Sequence, residues 1–514
     1  MKTRIPIAAY SPRALALSGL GLNLLLASAA QAQTPAAPAA PPATASSAPA
    51  QAVPTGPWTL QGAVDYALAH NLNVRLSELQ AQNNQQVLRQ SRAALLPSVN
   101  LSGSQSWQYG TSVNPLTYEF QNSTVRANNF AGVAQLTLFQ GFQLRNTIRR
   151  NDLDYKASLA DIEKARNDLS LNVASAFLQL VLAQELVRAN QTRVASDQEQ
   201  IARTKILLKA GSIPESTLLD SQSQLATDEL NVVTAQNQAD LARLSLLQFM
   251  NIDPANAGGF AIAVPQLPDP DEEGTLALDL NATYQTAASN LPEIRAAELR
   301  VQSARRGTDL ARGGYYPRLA LTGQVFSGYS SVRTVNSIGT DSTARRTTFF
   351  VNNGGVQTPL SVLTYQRNII SLPQGFWDQL DKNLGQQVAL QLNIPILNGL
   401  QVRTGVQRAV INEQAQTVRA EQARLTLRQS IEQAYADARA AQLQYAAAKR
   451  QVAALTLTQR NSEIRFNNGL LNGTEFNIAK NNLTFAESNR IQAKYSFIFR
   501  RKVLDFYQGK PLSL

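Results

Sequence analysis

The chain has 514 residues, 44% hydrophobic and 16% charged, with no cysteine, one histidine and a formal net charge of +11. Without thiols it has neither a disulfide framework nor a lipid-carrying N-terminal cysteine, and a lone His70 with no carboxylates at metal-ligand spacing supports neither enzyme chemistry nor a metal or other cofactor. Lysine and arginine are scattered along the sequence rather than gathered in a stripe, which excludes the concentrated basic face that nucleic acid requires.

Lys2, Arg4 and Arg13, an apolar stretch from Ala14 to Ala27, and the small-x-small site Ala30-Gln31-Ala32 predict a secretory signal peptide over 1–32. The stretch is shorter than the ~18–20 apolar residues of a spanning helix. Of the 47 Lys and Arg, three lie in this leader, leaving 44 against 36 acids. Residues 33–57, rich in Ala and Pro, form a predicted disordered lead-in. Leu60 to Ala94 reads as one helix, ended by Leu96-Pro97. Two segments with a period of two follow, at about 98–109 and 129–139; in the first, Val99, Leu101, Trp107 and Tyr109 alternate with Asn100, Ser102, Ser106 and Gln108.

Between Gln143 and Ala210 there is no proline and no interior glycine, which predicts a helix over 143–209 of roughly 100 Å. Val173, Leu180, Val187, Val194, Ile201 and Leu208 recur every seven residues as a coiled-coil seam, with Gln184, Gln191 and Gln198 at positions that would complete it. Gly211 ends this helix at a tip, 210–214, and Pro214 to Met250 returns beside it. A linker, 253–277, then interrupts all periodicity. Its run Asp269-Pro270-Asp271-Glu272-Glu273 lacks the spacing of a calcium loop and reads as solvated chain.

After the linker the pattern is written again. Gly141-Phe142-Gln143-Leu144-Arg145 matches Gly399-Leu400-Gln401-Val402-Arg403 at an offset of 258, as Gly211 matches Gly469. Arg75, Glu78, Leu79, Arg92 and Pro97 match Arg295, Glu298, Leu299, Arg312 and Pro317 at an offset of 220, so the second copy carries 38 extra residues, expected as a long polar loop within Ser330 to Asn383. The repeats run 58–252 and 278–507. The second has predicted strands at about 318–329 and 386–396, a helix over 401–467 and a tip at 468–473, and a tail, 508–514, follows it.

Alternating segments of about 9–11 residues suit transmembrane barrel strands, although a soluble sandwich shows the same pattern. Four strands close no barrel, the smallest having ~8, and open edges in lipid are prohibitive. If the strands span a membrane the chain must oligomerise, giving ~8 strands in a dimer or ~12 in a trimer. A secreted or periplasmic coiled-coil adhesin or scaffold is the alternative that the long helices alone allow.

The paired repeats, the strand entries Leu96-Pro97 and Tyr316-Pro317, the exits Leu138-Phe139-Gln140-Gly141 and Ile396-Leu397-Asn398-Gly399, and the two tip segments resemble the TolC family of outer-membrane efflux proteins. The resemblance implies an α+β membrane protein: a homotrimer with a 12-stranded β-barrel, four strands per chain, in outer-membrane lipid, continuous with a periplasmic α-helical coiled-coil barrel. It further implies passive export for an inner-membrane pump of RND or ABC type, joined through a periplasmic adaptor (membrane fusion protein) that docks on the tips, here Gly211, Ser212, Ile213, Gly469, Leu470 and Leu471. The family lines its closed constriction with acids six and nine residues after the tip glycine. Those positions hold Thr217 and Asp220 in one copy and Glu475 and Ile478 in the other, so a mixed ring of Asp220 and Glu475 is implied. Each is equally explained as a carboxylate favoured at a helix start.

Overall fold

The structure, a computed structural model, describes residues 56–113, 120–256, 258–264 and 279–510. The predicted signal peptide, nearly all of the lead-in, the acidic run of the linker and the last four residues lie outside the described residues. The elements below belong to one compact unit, Pro57–Ala255 with Ala261–Leu514.

The first half runs α1 (Leu60–His70), α2 (Leu72–Ala93), β1 (Ser98–Val113), β2 (Phe120–Gln140), α3 (Gln143–Lys209) and α4 (Glu215–Met250). The second runs α5 (Leu280–Asn290), α6 (Pro292–Arg312), β3 (Arg318–Ser330), β4 (Thr334–Asn353), β5 (Val356–Pro373), α7 (Phe376–Lys382), β6 (Gly385–Asn393), α8 (Gln401–Asn467) and α9 (Gly473–Tyr507). Helices α3 and α8 both have 67 residues, and the helices returning from them have 36 and 35.

Two expectations change. The single helix from Leu60 to Ala94 is broken at Asn71, whose extended backbone and side-chain oxygen cap α2 by accepting from Asn73 N and Val74 N, while its amide donates to Phe249 O at 3.0 Å. In the second half Pro292 makes the same break by opening α6. The expected long loop within 330–383 is instead an antiparallel hairpin, β4 with β5, paired from Thr334↔Pro373 to Asn353↔Val356. Its turn is Gly354-Gly355 at φ +65° and +94°, the left-handed conformation that a two-residue hairpin turn needs. Buried Gln379 of α7 fastens the hairpin's base, exchanging hydrogen bonds with the Ser330 backbone at 2.9 and 3.0 Å.

The main sheet has the order β1-β2-β3-β6, all antiparallel, with β1 and β6 at its edges. Helices α2, α3, α6 and α8 lie side by side in the same order, so each strand continues into the helix beneath it. The corners from strand to helix are built alike: Gly141-Phe142 at φ +55° and +60°, and Gly399-Leu400 at +58° and +65°. Non-glycine residues pay for this conformation with roughly 1–2 kcal/mol, so Phe142 and Leu400 are held there by their surroundings.

The core lies along α3. Val173, Phe177, Leu180 and Val181 are 2% exposed or less, and each such burial contributes about 1.5–3 kcal/mol. The seam expected from Val173 onward is not completed by Gln184, Gln191 and Gln198, which are exposed. The residues three after each seam position complete it: Ala176, Ala183, Asp197 and Thr204 are buried and Asn190 is half-buried. Ala183 and Val187 pack on Ala235 and Ala239 of α4, and Leu291 and Ile294 pack on Leu427 and Ile431 of α8.

The two corners should respond differently to one methyl group. A Cβ on Gly141 would lie 2.2 Å from Gly313 O, whereas one on Gly399 meets nothing within 4 Å. Gly399→Ala should cost only the conformational strain, about 1–2 kcal/mol, while Gly141→Ala should lower the melting temperature far more; calorimetry on both variants checks this.

Candidate functional site

Both tips are closed by the same backbone device. At the end of α3, Gly211 N donates to Leu208 O at 2.9 Å and Ser212 N to Leu207 O at 3.0 Å, with Gly211 at φ +70°. At the end of α8, Gly469 N donates to Phe466 O at 3.0 Å and Leu470 N to Arg465 O at 2.8 Å, with Gly469 at φ +73°. This paired bonding satisfies carbonyls that a helix end otherwise leaves open, and glycine adopts it without a Cβ penalty. The turns present Gly211, Ser212, Gly469 and Leu470 to solvent, with Ile213 and Leu471 half-buried. Leu470 is 70% exposed. Behind the second tip, Phe466 and Phe476 stack with centroids 4.9 Å apart, joining α8 to α9.

The three residues expected at a constriction behave differently. Thr217 is buried, packed so closely on Gly473 that a Cβ there would sit 2.8 Å from its methyl. It cements α4 to α9 and lines no free surface. Asp220 and Glu475 are exposed. Asp220 accepts from Thr474 Oγ1 at 3.4 Å, so the fold brings Asp220 against the residue preceding Glu475. Glu475 lies in the first turn of α9, its N–H donating to the capping Asn472 Oδ1 at 2.7 Å. Its charge thus faces a helix dipole. Asp220 lies beyond the first turn of α4, so helix-start stabilisation does not account for it.

Above the tips a buried polar network escaped the sequence reading. Asp197 of α3, 4% exposed, is ion-paired to Lys480 of α9 and lies beside Asp228 of α4. Burial raises the Asp197 pKa, with the Asp228 carboxyl adding to the rise and Lys480 opposing it. For Asp228, burial pushes upward, but the neighbouring Asp197 carboxyl, hydrogen bonds from Gln224 and Asn231 and the charge of Arg193 outweigh it and leave the pKa lowered. The two neighbouring carboxyls are thus pushed in opposite directions, and the second Asp197 oxygen, Oδ2, is buried without a hydrogen-bond partner. Arg193 of α3 ties that helix to α9, donating to Asn190 Oδ1 at 3.0 Å, Thr484 O at 2.5 Å and Ser488 Oγ at 3.1 Å. The signal for this site was a seven-residue seam interrupted by an aspartate. Among the described residues no group of His, Cys, Asp and Glu is arranged to hold a metal.

The family model for outer membrane efflux proteins matches residues 63–251 and 283–509. Among solved structures, the channel protein CusC superposes with a TM-score of 0.70 at 17% identity, covering 88% of this chain and 92% of that one. The outer membrane protein VceC of Vibrio cholerae gives 0.67 at 13% identity, covering 88% and 97%. The toxin and drug export protein A of Aggregatibacter actinomycetemcomitans is 22% identical over 209 residues, 40% of this chain and 44% of that protein. The chain spans about half the length of the curated relatives it matches.

Lys480→Met should leave the Asp197–Asp228 pair without its cation. Removing one partner of a buried ion pair typically costs about 3–5 kcal/mol. The Asp197 pKa, already raised by folding, should rise further, so its stabilising contribution is held at low pH and lost as pH climbs through the folded value. The variant's loss of melting temperature should be larger at pH 8 than at pH 5; an equal loss at both contradicts a raised Asp197 pKa.

Proposed function

The chain belongs to the outer membrane efflux protein family, and we propose that it is the outer-membrane exit channel of a tripartite efflux or type I secretion system. In this reading three copies form a 12-stranded barrel and a helical tunnel into the periplasm. An inner-membrane pump loads the tunnel through an adaptor seated on the tips, and the channel conducts passively.

The observation that carries the reading is the pair of open edges. β1 and β6 have one strand neighbour each, and the helices that continue them, α2 and α8, expose apolar residues at coiled-coil spacing. On α8 these are Ile411, Val418 and Leu425, each more than 60% exposed and seven residues apart; on α2 they include Leu72 and Leu79. Exposed seams of this kind require partner helices. A head-to-tail ring joining α2 and β1 of one copy to α8 and β6 of the next covers both at once. The four-stranded sheet makes ~12 strands with three copies, enough for a water-filled lumen.

Exposed Leu470 on a hydrogen-bonded turn fits an adaptor contact. Replacing Leu470 and Leu471 with Asp should abolish export while leaving membrane-embedded trimers, read by substrate accumulation and by mass in mild detergent. Undiminished export removes the tips from docking.

Asp220 and Glu475, three of each around the axis, fit a cation-attracting constriction. In planar bilayers the channel should be cation-selective and blocked by multivalent cations from the periplasmic side, and Asp220→Asn with Glu475→Gln should relieve the block. Persistent block in that double variant assigns the constriction to other residues.

A further inference from the structure

Arginines that are scattered in the sequence converge at one height. Strands and helices meet at the C-termini of α2 and α6 and the N-termini of α3 and α8. Residues 86–97, 143–150, 305–318 and 401–408, about two helical turns at each junction, hold eleven arginines, no lysine and a single acid, Asp309. The rest of the mature chain is close to neutral, so this collar accounts for its positive charge.

Helix stability does not explain the collar. Cations suit helix C-termini, where Arg92 and Arg312 lie, but Arg145 and Arg403 sit in the first turns of α3 and α8, where the dipole opposes them. An anionic partner supplies the missing compensation. Four of the arginines, Arg149, Arg305, Arg306 and Arg312, line one cleft of about 780 Å³ between α3, α6 and α8. Of its acids, Asp309 is ion-paired by Arg306 and Arg312 and Asp152 by Lys156 and Arg92, while Glu413 accepts from the Thr308 hydroxyl at 2.8 Å and keeps its charge. Arg149 and Arg305 have no ion pair among the described residues. The exclusive use of arginine, whose planar guanidinium donates two parallel N–H bonds, favours an oxyanion that accepts both, such as phosphate.

The neighbours of the collar identify the source of that phosphate. At the junction itself Leu96, Phe142, Tyr316, Ile396 and Leu397 are all more than half exposed, Leu397 by 95%. An apolar and aromatic belt bordered by arginines is the order met in passing from lipid tails to headgroups.

We propose that the collar binds the phosphates of the phospholipid leaflet that faces the periplasm, and that the α3/α6/α8 cleft seats one anionic headgroup. The inference rests on the strands spanning the outer membrane.

The test uses the full-length protein purified in an uncharged detergent and titrated with dihexanoyl phosphatidylglycerol or dihexanoyl phosphatidylcholine, with bound lipid counted by native mass spectrometry. Phosphatidylglycerol should bind in preference and weaken with salt. Arg149→Gln with Arg305→Gln should lower its affinity about 25-fold, about fivefold per arginine, and Arg149→Lys with Arg305→Lys should lower it less. Equal binding of the two lipids, or unchanged phosphatidylglycerol binding by the Gln variant, overturns the proposal. So does a Gln variant that keeps its lipid but loses anion permeability in a phosphatidylcholine bilayer, because the collar then lines the lumen. Fractionation of the wild-type protein is a separate arm: absence from the outer membrane overturns the channel reading itself, whereas presence there with unaltered lipid binding overturns only the collar.

Discussion

An unpaired strand edge has nowhere to go in hydrocarbon. Each backbone N–H and C=O left open there costs several kcal/mol, because no water is present to satisfy it. The sheet β1-β2-β3-β6 pairs all its interior strands and leaves β1 and β6 open. Because α2 and α8 prolong those same edge strands, in the proposed ring, closure of the sheet and closure of the helical layer would be one geometrical event. The apolar seams exposed on both helices are the aqueous counterpart of the open strand edges, and the proposed ring of copies would answer both.

The corners transmit that arrangement. Gly141-Phe142 and Gly399-Leu400 each place two successive residues in the left-handed region, which turns a strand into a helix within two positions. Gly141 is the tighter, wedged against Gly313, so the first corner also locks α3 to the end of α6. Nearer the tips, the link between α3, α4 and α9 changes character, with Asp197, Asp228, Lys480 and Arg193 replacing the apolar contacts made farther up α3. Buried charge of this kind contributes little net stability, but it penalises any packing that separates its members. The contact is specific and sensitive to protonation, in the part of the fold nearest the tips.

Electrostatics also divides the molecule by height. Arginines crowd the strand-to-helix junction, while Asp220 and Glu475 stand exposed at the opposite helix ends. Along the chain the basic residues are dispersed, because they are separated by whole helices. Antiparallel connectivity brings the ends of four helices to one level, and only there does their density emerge.

The sequence by itself determined the matching lengths of α3 and α8 and the glycine tips, because periodicity, proline and glycine act within a few residues and need no tertiary context. Two more features were legible but missed: Asn71 as a helix cap, and Gly354-Gly355 as a hairpin turn between β-branched runs. Tertiary structure alone decided which positions complete the seam on α3, since a heptad names one apolar column and leaves the neighbour's direction of approach open. Asp197 was thereby hidden among apparent surface polar residues. It also decided that Thr217 packs against Gly473 while Asp220 stays in solvent. Residues three apart on one helix look alike in sequence; what separates them is the helix that packs alongside, and that helix is supplied by the other half of the chain.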